Sequence, residues 1–172
     1  PSDLKAVPEQ LDLKNCSLEM LTLKLNIEGC RIAKRAIEKY RAQPDYDGRP
    51  LFVAGSIGPS NYVISSTEAN LNKATFRQVV ENFYHQVLGL IEGGADVLLI
   101  ETQQDILETK AIIEGANKAF AEKKIKLPMI VQATVDVFSK MQIFNTDIHA
   151  AYTAVSKMGI DVFGINCNVG PV

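Results

Sequence analysis

The segment Leu90–Thr102, with the sequence LIEGGADVLLIET, contains the features that decide the fold class. Two glycines separate the end of a helical stretch from four consecutive apolar residues, Val97–Ile100, and a glutamate and a threonine close the run. A continuous apolar run of this length is typical of a strand covered on both faces in a parallel sheet, because half-exposed strands alternate apolar and polar residues. The segment therefore predicts a helix, a tight turn and a buried parallel strand.

The same order of elements recurs on both sides of this segment. Apolar runs predict three further strands, at 51–57, 129–133 and 162–165. Apolar residues at helical spacing predict helices between the strands, and a long helix from about Leu18 to Tyr40 before them. The chain therefore repeats a unit in which a strand is followed by a helix.

Two helix starts carry a recognisable capping pattern. Thr75 followed by Gln78 is the sequence signature of a capping box, in which each side chain binds the other residue's backbone N–H. Asp105 followed by Glu108 repeats the pattern before the next helix. We therefore expect both helices to begin with a closed capping box.

Four strands joined by helices fit either an open doubly wound sheet or part of a (β/α)8 barrel. A complete barrel takes about 250 residues, whereas this chain has 172. We predict an α/β fold of the (β/α)8 TIM-barrel type, with about half of the barrel strands in this chain. Residues 1–172 would then form one partial domain that lacks both ends.

Composition excludes several functional classes. The formal net charge is −2, without a basic run, which argues against nucleic-acid binding. No segment approaches the roughly 20 apolar residues of a membrane span, and the first residues lack the pattern of a signal peptide, so we expect a cytoplasmic protein. Its three widely spaced cysteines do not suggest a disulfide framework, and they are expected to be free thiols or metal ligands.

Ligands of both candidate folds collect beyond the C-terminal ends of the strands. Polar residues at these ends form the candidate site, which comprises Glu101, Thr102, Thr134, Asn166 and Cys167. The glycine-containing loop after the first strand lacks the lysine and the spacing of a phosphate-binding loop, so nucleotide binding is not expected.

Two of these residues have an alternative interpretation. Glu101 ends an apolar run, where an ionised carboxylate needs a cationic partner. That partner is either a substrate ammonium group or a neighbouring lysine or arginine of the protein. Cys167 is either a metal ligand or a small buried hydrophobic residue, and one cysteine alone cannot define a zinc site.

Three segments together resemble one enzyme family. The segment Leu90–Thr102 is similar to a helix end, double glycine and Glu-Thr strand of the homocysteine S-methyltransferases, especially the homocysteine-binding domain of cobalamin-dependent methionine synthases. Val53–Pro59 resembles the preceding strand and its Gly-Pro turn. Gly164–Cys167 followed by Gly170-Pro171 resembles a Gly-Leu-Asn-Cys segment before Gly-Pro.

The resemblance implies a specific chemistry. Cys167 would be one of three thiolates that bind a catalytic zinc, the other two coming from a later Gly-Gly-Cys-Cys segment. Glu101 would hold the amino group of homocysteine, and Thr102 and Thr134 would also bind the substrate. Asn166 would be the catalytic residue, beside metal and substrate. The homocysteine sulfur would take a methyl group from methylcobalamin, giving methionine. Cobalamin and methyltetrahydrofolate would bind other modules of the full-length enzyme, which are its expected partners.

The sequence also departs from the family pattern. An early Asp-Gly segment is not found before Leu18, the Gly-Gly-Cys-Cys segment is missing, and residues 136–146 replace a glycine-containing loop. We therefore expect the isolated chain to be inactive, to hold an incomplete zinc site and to self-associate. Two alternatives stay open: a homocysteine methyltransferase that uses betaine or S-methylmethionine as donor, and a catalytically silent barrel segment that acts as a scaffold.

Overall fold

A computed structural model describes residues 16–66 and 73–167 of the chain. Helices and strands alternate after a long first helix, in this order: α1 (Leu18–Arg41), β1 (Ala54–Ile57), α2 (Phe76–Gly93), β2 (Val97–Gln103), α3 (Ile106–Lys123), β3 (Met129–Ala133), α4 (Ile148–Val155) and β4 (Val162–Ile165). The strands form one sheet in the order β1-β2-β3-β4, and every neighbouring pair is parallel. The α/β class and the parallel sheet are thus as predicted.

The strand bounds agree with the predicted ones at β3 and β4 and differ at β1 and β2. Pairing of β1 begins only at Ala54, opposite Val97, rather than at residue 51. Just before it, the N–H of Val53 donates to Asp96 Oδ2 at 2.7 Å and its carbonyl accepts from the N–H of Asp96 at 2.8 Å. These bonds tie both backbone groups of Val53 to Asp96, in the turn before β2. The pairing of β1 with β2 therefore starts one residue after Val53, at Ala54. At its other end, β2 continues three residues beyond the predicted end.

The helix starts show why one capping prediction is correct and the other is wrong. Thr75 and Gln78 form the expected closed capping box at α2. At α3, the Asp105 side chain accepts from the N–H of Leu107 at 2.9 Å, but the Glu108 side chain does not accept from the backbone N–H of Asp105. Its carboxylate instead accepts from the N–H of Ser60, 2.8 Å away. No helix in the described part of the chain is long and apolar enough to cross a membrane.

The core lies between the helices and one face of the sheet. Alternate strand residues on that face are fully buried: Ile57, Leu98, Ile100, Met129 and Val131. The residues between them point to the opposite face, where Val162 is 51% exposed and Leu99 and Ile130 are only partly buried. The apolar runs predicted strands covered on both faces, whereas helices of residues 16–66 and 73–167 cover only one.

Close approach between the helices depends on glycines in α2 and α3. A Cβ atom on Gly89 of α2 would lie 2.6 Å from the carbonyl oxygen of Leu23 in α1. A Cβ atom on Gly115 of α3 would lie 2.8 Å from the carbonyl oxygen of Val80 in α2. The backbones therefore pack where a larger side chain would not fit, and this holds the three helices as one layer behind the sheet.

Candidate functional site

Five polar residues come together at or just beyond the C-terminal ends of three strands. They belong to β1, to β2 and to the turn after β4, and we refer to them as the strand-end cluster: Ser56, Glu101, Thr102, Asn166 and Cys167. Four of the five were candidates from the sequence. Parallel strands whose ends are aligned produce this convergence, since their last residues reach the same edge of the sheet.

The carboxylate of Glu101 is half-buried and accepts hydrogen bonds from two neighbours. Ser56 Oγ donates to its Oε1 at 2.5 Å, and Asn166 Nδ2 approaches its Oε2 at 3.4 Å. No lysine or arginine in the described part of the chain forms an ion pair with it. The alternative of a structural ion pair is therefore not realised there, and the carboxylate remains available to a cation supplied by a ligand.

Asn166 joins β2 to the turn after β4. Its Oδ1 accepts from the backbone N–H of Thr102 at 2.9 Å. Its Nδ2 lies 2.9 Å from Thr102 Oγ1 and 3.4 Å from both Glu101 Oε2 and Cys167 Sγ. An amide nitrogen has two hydrogens for these three acceptors, so the short contact to Thr102 takes one hydrogen and the other two acceptors compete for the second. The carboxamide therefore fixes its neighbours relative to one another.

Cys167 is exposed, and its backbone has a positive φ of 55°. Among the described residues it is therefore not packed as a small buried hydrophobic side chain. The sulfur faces two donors, Thr102 Oγ1 at 3.6 Å and Asn166 Nδ2 at 3.4 Å. The sulfur is therefore accessible to a metal ion, which binds cysteine as the thiolate.

The other two cysteines, Cys16 and Cys30, are not members of the strand-end cluster. Cys30 in α1 is buried and its thiol donates to the carbonyl oxygen of Leu90 at 3.7 Å. Burial raises the pKa of this thiol, which keeps it in the neutral form that does not bind metals. No group of three or more His, Cys, Asp or Glu residues that could hold a metal is present within residues 16–66 and 73–167. Cys167 is therefore a single candidate ligand rather than a complete site.

A β-bulge places consecutive residues of β2 in the same cluster. Ile100 pairs with Val131, and the next recorded pair joins Gln103 to Ala133, so three steps along β2 match two steps along β3. The additional residue is at Thr102 or beside it, where φ is +62°. In a regular strand, neighbouring side chains point to opposite faces. The bulge instead allows the side chains of both Glu101 and Thr102 to contact Asn166.

Thr134 and Ser56 differ from the expectations. The Thr134 side chain is buried, its N–H donates to the carbonyl oxygen of Gln103 at 2.8 Å, and its Oγ1 has no hydrogen-bond partner in the described part of the chain. It is not part of the strand-end cluster. Ser56 was not chosen as a site residue, although it pairs with Leu99 of β2 and its hydroxyl reaches the Glu101 carboxylate.

Two buried carboxylates fix the loop that follows β1. Asp105 Oδ1 accepts from Ser65 Oγ at 2.5 Å, and Glu108 accepts from both the N–H and the hydroxyl of Ser60. Burial raises the pKa of Glu108, although the Ser60 bonds act in the opposite direction. The loop also borders a cleft of about 500 Å³ between α1 and α2, which the cluster residues do not line. These carboxylates therefore hold Ser60 and Ser65, which follow β1, against the start of α3.

Comparison with known proteins gives a consistent result. A family model described as homocysteine S-methyltransferase matches residues 5–171. Proteins named methionine synthase from Mycobacterium leprae and Mycobacterium tuberculosis are 33% and 32% identical over 147 residues, which is 86% of this chain. The chain spans only 11% and 12% of the length of these two relatives.

Solved structures show a similar fold. The apo form of the homocysteine methyltransferase MmuM from Escherichia coli matches with a TM-score of 0.69 at 22% identity, over 89% of this chain and 52% of that one. The metallated form of the same protein matches with a TM-score of 0.66 at 21% identity, over 84% and 49% of the two chains. At this identity the likeness concerns the fold alone.

Proposed function

Because the chain belongs to the homocysteine S-methyltransferase family, we propose that its strand-end cluster binds homocysteine and that the whole protein methylates the homocysteine sulfur, giving methionine. The observation that carries this proposal is the convergence of Glu101, Thr102, Asn166 and Cys167 at one edge of the sheet. The Glu101 carboxylate and the Cys167 sulfur lie on either side of the Asn166 carboxamide. They match the two ends of homocysteine, which has an ammonium group at one end and a thiol at the other.

Glu101 binds the ammonium group of homocysteine. Its carboxylate has hydrogen-bond donors from Ser56 and Asn166 but no cationic partner among the described residues. A ligand ammonium group would supply that missing charge, and hydrogen bonds to charged groups contribute about 1.5–3 kcal/mol each. Ser56 orients the carboxylate, and Asn166 sets its separation from Cys167.

Cys167 supplies one ligand of a zinc site. Its exposed sulfur is accessible to a metal ion, and a catalytic zinc normally takes three protein ligands. The two further thiolates that the family resemblance implies are outside the described residues. When bound, the metal favours the thiolate form of the homocysteine sulfur, which is the nucleophile. Asn166 and Thr102 hold the Cys167 sulfur in place for this purpose.

The methyl donor is methylcobalamin bound to another module of the whole protein, with methyltetrahydrofolate as the source of the methyl group. The relatives named methionine synthase, which are far longer than this chain, support this choice over betaine or S-methylmethionine.

The four strands form a contiguous part of a (β/α)8 barrel. The sheet face without helices, which includes Leu99 and Ile130, would then line the barrel interior, where apolar side chains normally fill the space. The match to about half of the MmuM chain supports the same arrangement.

A transfer assay tests the function. The full-length protein should convert homocysteine to methionine with methylcobalamin, and should do so poorly with betaine or S-methylmethionine. Cys167→Ala should lose bound zinc and activity together, whereas Cys16→Ala, a change to a cysteine outside the cluster, should retain both. A full-length protein that binds no homocysteine would instead support a catalytically silent scaffold, and undiminished zinc in Cys167→Ala would contradict the metal assignment.

A further inference from the structure

The bulge in β2 requires hydrogen-bond partners for backbone groups that a regular ladder would otherwise satisfy. An additional residue in one strand interrupts the ladder locally. Two side-chain amides bind the backbone at this point: Asn166 Oδ1 accepts from the N–H of Thr102 at 2.9 Å, and Gln103 Nε2 donates to the carbonyl oxygen of Glu101 at 3.0 Å. The two bonds hold the peptide unit between Glu101 and Thr102 from both of its ends.

Gln103 is distinctive because it is polar and completely buried, with 0% of its surface exposed. Its Oε1 has no hydrogen-bond partner among the described residues. The bond from its Nε2 to Glu101 therefore offsets only part of the cost of burying the carboxamide. A buried carboxamide with an unpaired oxygen is unfavourable for stability alone. An apolar side chain of the same size would avoid this cost, which indicates that the amide serves another purpose.

We propose that Gln103 is a positioning residue: its buried carboxamide holds the β2 bulge open, so that Glu101 and Thr102 face the same ligand. This inference rests on the proposed function for the identity of the ligand, but not for the bulge itself. Gln103 does not touch the ligand, and it acts through the backbone of Glu101.

The geometry explains why the bulge matters for recognition. Without the additional residue, β2 would keep the alternation of a regular strand, and the side chains of Glu101 and Thr102 would point to opposite faces of the sheet. Thr102 Oγ1 could not then contact Cys167 while the Glu101 carboxylate contacts Ser56. Loss of the bulge would therefore separate the amine-binding end of the site from the sulfur-binding end.

Gln103→Met in the full-length protein tests the proposal, because methionine keeps the length of the side chain and lacks the N–H donors. Asn117→Leu is the matched control, since Asn117 Nδ2 also donates to a backbone carbonyl, that of Met158 at 2.9 Å, far from the cluster. We expect Gln103→Met to weaken homocysteine binding about tenfold and Asn117→Leu to leave it unchanged at a similar loss of stability.

A double-mutant cycle separates positioning from general destabilisation. If Gln103 acts through Glu101, then Gln103→Met should cost less than about twofold in homocysteine affinity when Glu101→Gln is already present. Equal losses in both backgrounds would overturn the proposal.

Amide hydrogen exchange tests the bulge without reference to homocysteine. In the unmodified protein, the Thr102 N–H should exchange slowly because Asn166 binds it, and Gln103→Met should speed its exchange about tenfold relative to the amides of β3. An unprotected Thr102 amide in the unmodified protein would overturn the proposal even if no Gln103 variant folds. Slow exchange at Thr102 without homocysteine binding would retain the bulge and reject the proposed ligand.

Discussion

The carboxamide of Asn166 uses both of its ends within the site. Its oxygen satisfies the Thr102 backbone, while its nitrogen contacts Glu101, Thr102 and Cys167. A carboxylate in its place would keep the first contact and lose every donor, because ionised Asp has acceptors only. The amide group is therefore a requirement of the site rather than one of several equivalent polar choices.

Replacement of Glu101 by glutamine is expected to weaken homocysteine binding to the full-length protein by about 1–3 kcal/mol, the range for loss of a charged hydrogen-bond partner. Glutamine keeps the shape of the side chain but cannot offset an ammonium charge. Titration calorimetry with the metal retained gives the affinity. Glu114→Gln, which removes an exposed carboxylate of α3, serves as the control, and an unchanged affinity in Glu101→Gln would exclude Glu101 from the site.

The buried carboxyl of Glu108 should make stability depend on pH. Because burial raises its pKa in the folded protein above the ordinary 4.5, the folded state holds this proton more tightly than the unfolded state. Its contribution to the free energy of unfolding is therefore fully present below pH 4.5 and is lost as pH rises through the raised pKa.

Glu108→Gln should remove this dependence, since glutamine stays neutral and can still accept from Ser60. Denaturant unfolding of the chain at several pH values should show the variant gaining stability relative to the unmodified chain as pH rises. Glu114→Gln controls for removal of one carboxylate from α3. Parallel stability curves for Glu108→Gln and the unmodified chain would contradict the prediction.

The contact between α2 and α3 predicts an unusual response to alanine at Gly115. Alanine in a helix normally adds about 1 kcal/mol of stability over glycine. Here its Cβ would lie 2.8 Å from the Val80 carbonyl oxygen and 3.0 Å from the Tyr84 nitrogen. We expect Gly115→Ala to lower the free energy of unfolding by about 1–3 kcal/mol.

Gly29→Ala is the matched control for this effect, because a Cβ atom on Gly29 of α1 would meet nothing within 4 Å. It should stabilise the chain by about 0.5–1 kcal/mol through helix propensity alone. Denaturant unfolding measures both variants. Equal effects of the two substitutions would show that the α2–α3 contact can relax.

Element order was predictable from sequence because it depends on local patterns. The apolar runs at 129–133 and 162–165 are strands with the predicted bounds, and the double glycine ends α2, with Gly94 at a φ of +85°. Local spacing also placed four of the five cluster residues at strand ends. These features require only short-range rules for strand length and helix termination.

The remaining features depend on partners distant in the sequence. The Glu108 side chain binds Ser60, 48 residues away, instead of its own helix start. Thr102 adopts a positive φ that a residue of its type rarely adopts, and Asn166, 64 residues away, binds its N–H. Neither the open capping box nor the bulge has a local signal, so Gln103 could not be assigned from strand periodicity.

At the scale of the whole molecule, the described sheet has two open edges and one face without helices. β1 and β4 each pair on one side only among residues 16–66 and 73–167, and Val162 of β4 is 51% exposed. Open edges and exposed apolar faces promote association. We expect the 172-residue chain to form dimers or larger assemblies when it is studied alone.

Sedimentation velocity over a range of concentrations measures this association. Val162→Lys should reduce it by placing a charge on the open strand, whereas Val137→Lys, the same change in an exposed loop, should not. A compact monomer at every concentration would contradict the prediction.

The sheet has the same strand order as the chain, and this has a consequence for synthesis on the ribosome. Each newly emerged strand can pair with the one before it, so β1 and β2 can meet before β4 has been translated. Ser56 can then bind Glu101 early, but the Thr102 N–H has to wait for Asn166. We expect nascent chains stalled before residue 160 to bury α2 and α3 while the Thr102 amide still exchanges freely. Synthesis of the last strand and of the turn after it would then complete the strand-end cluster.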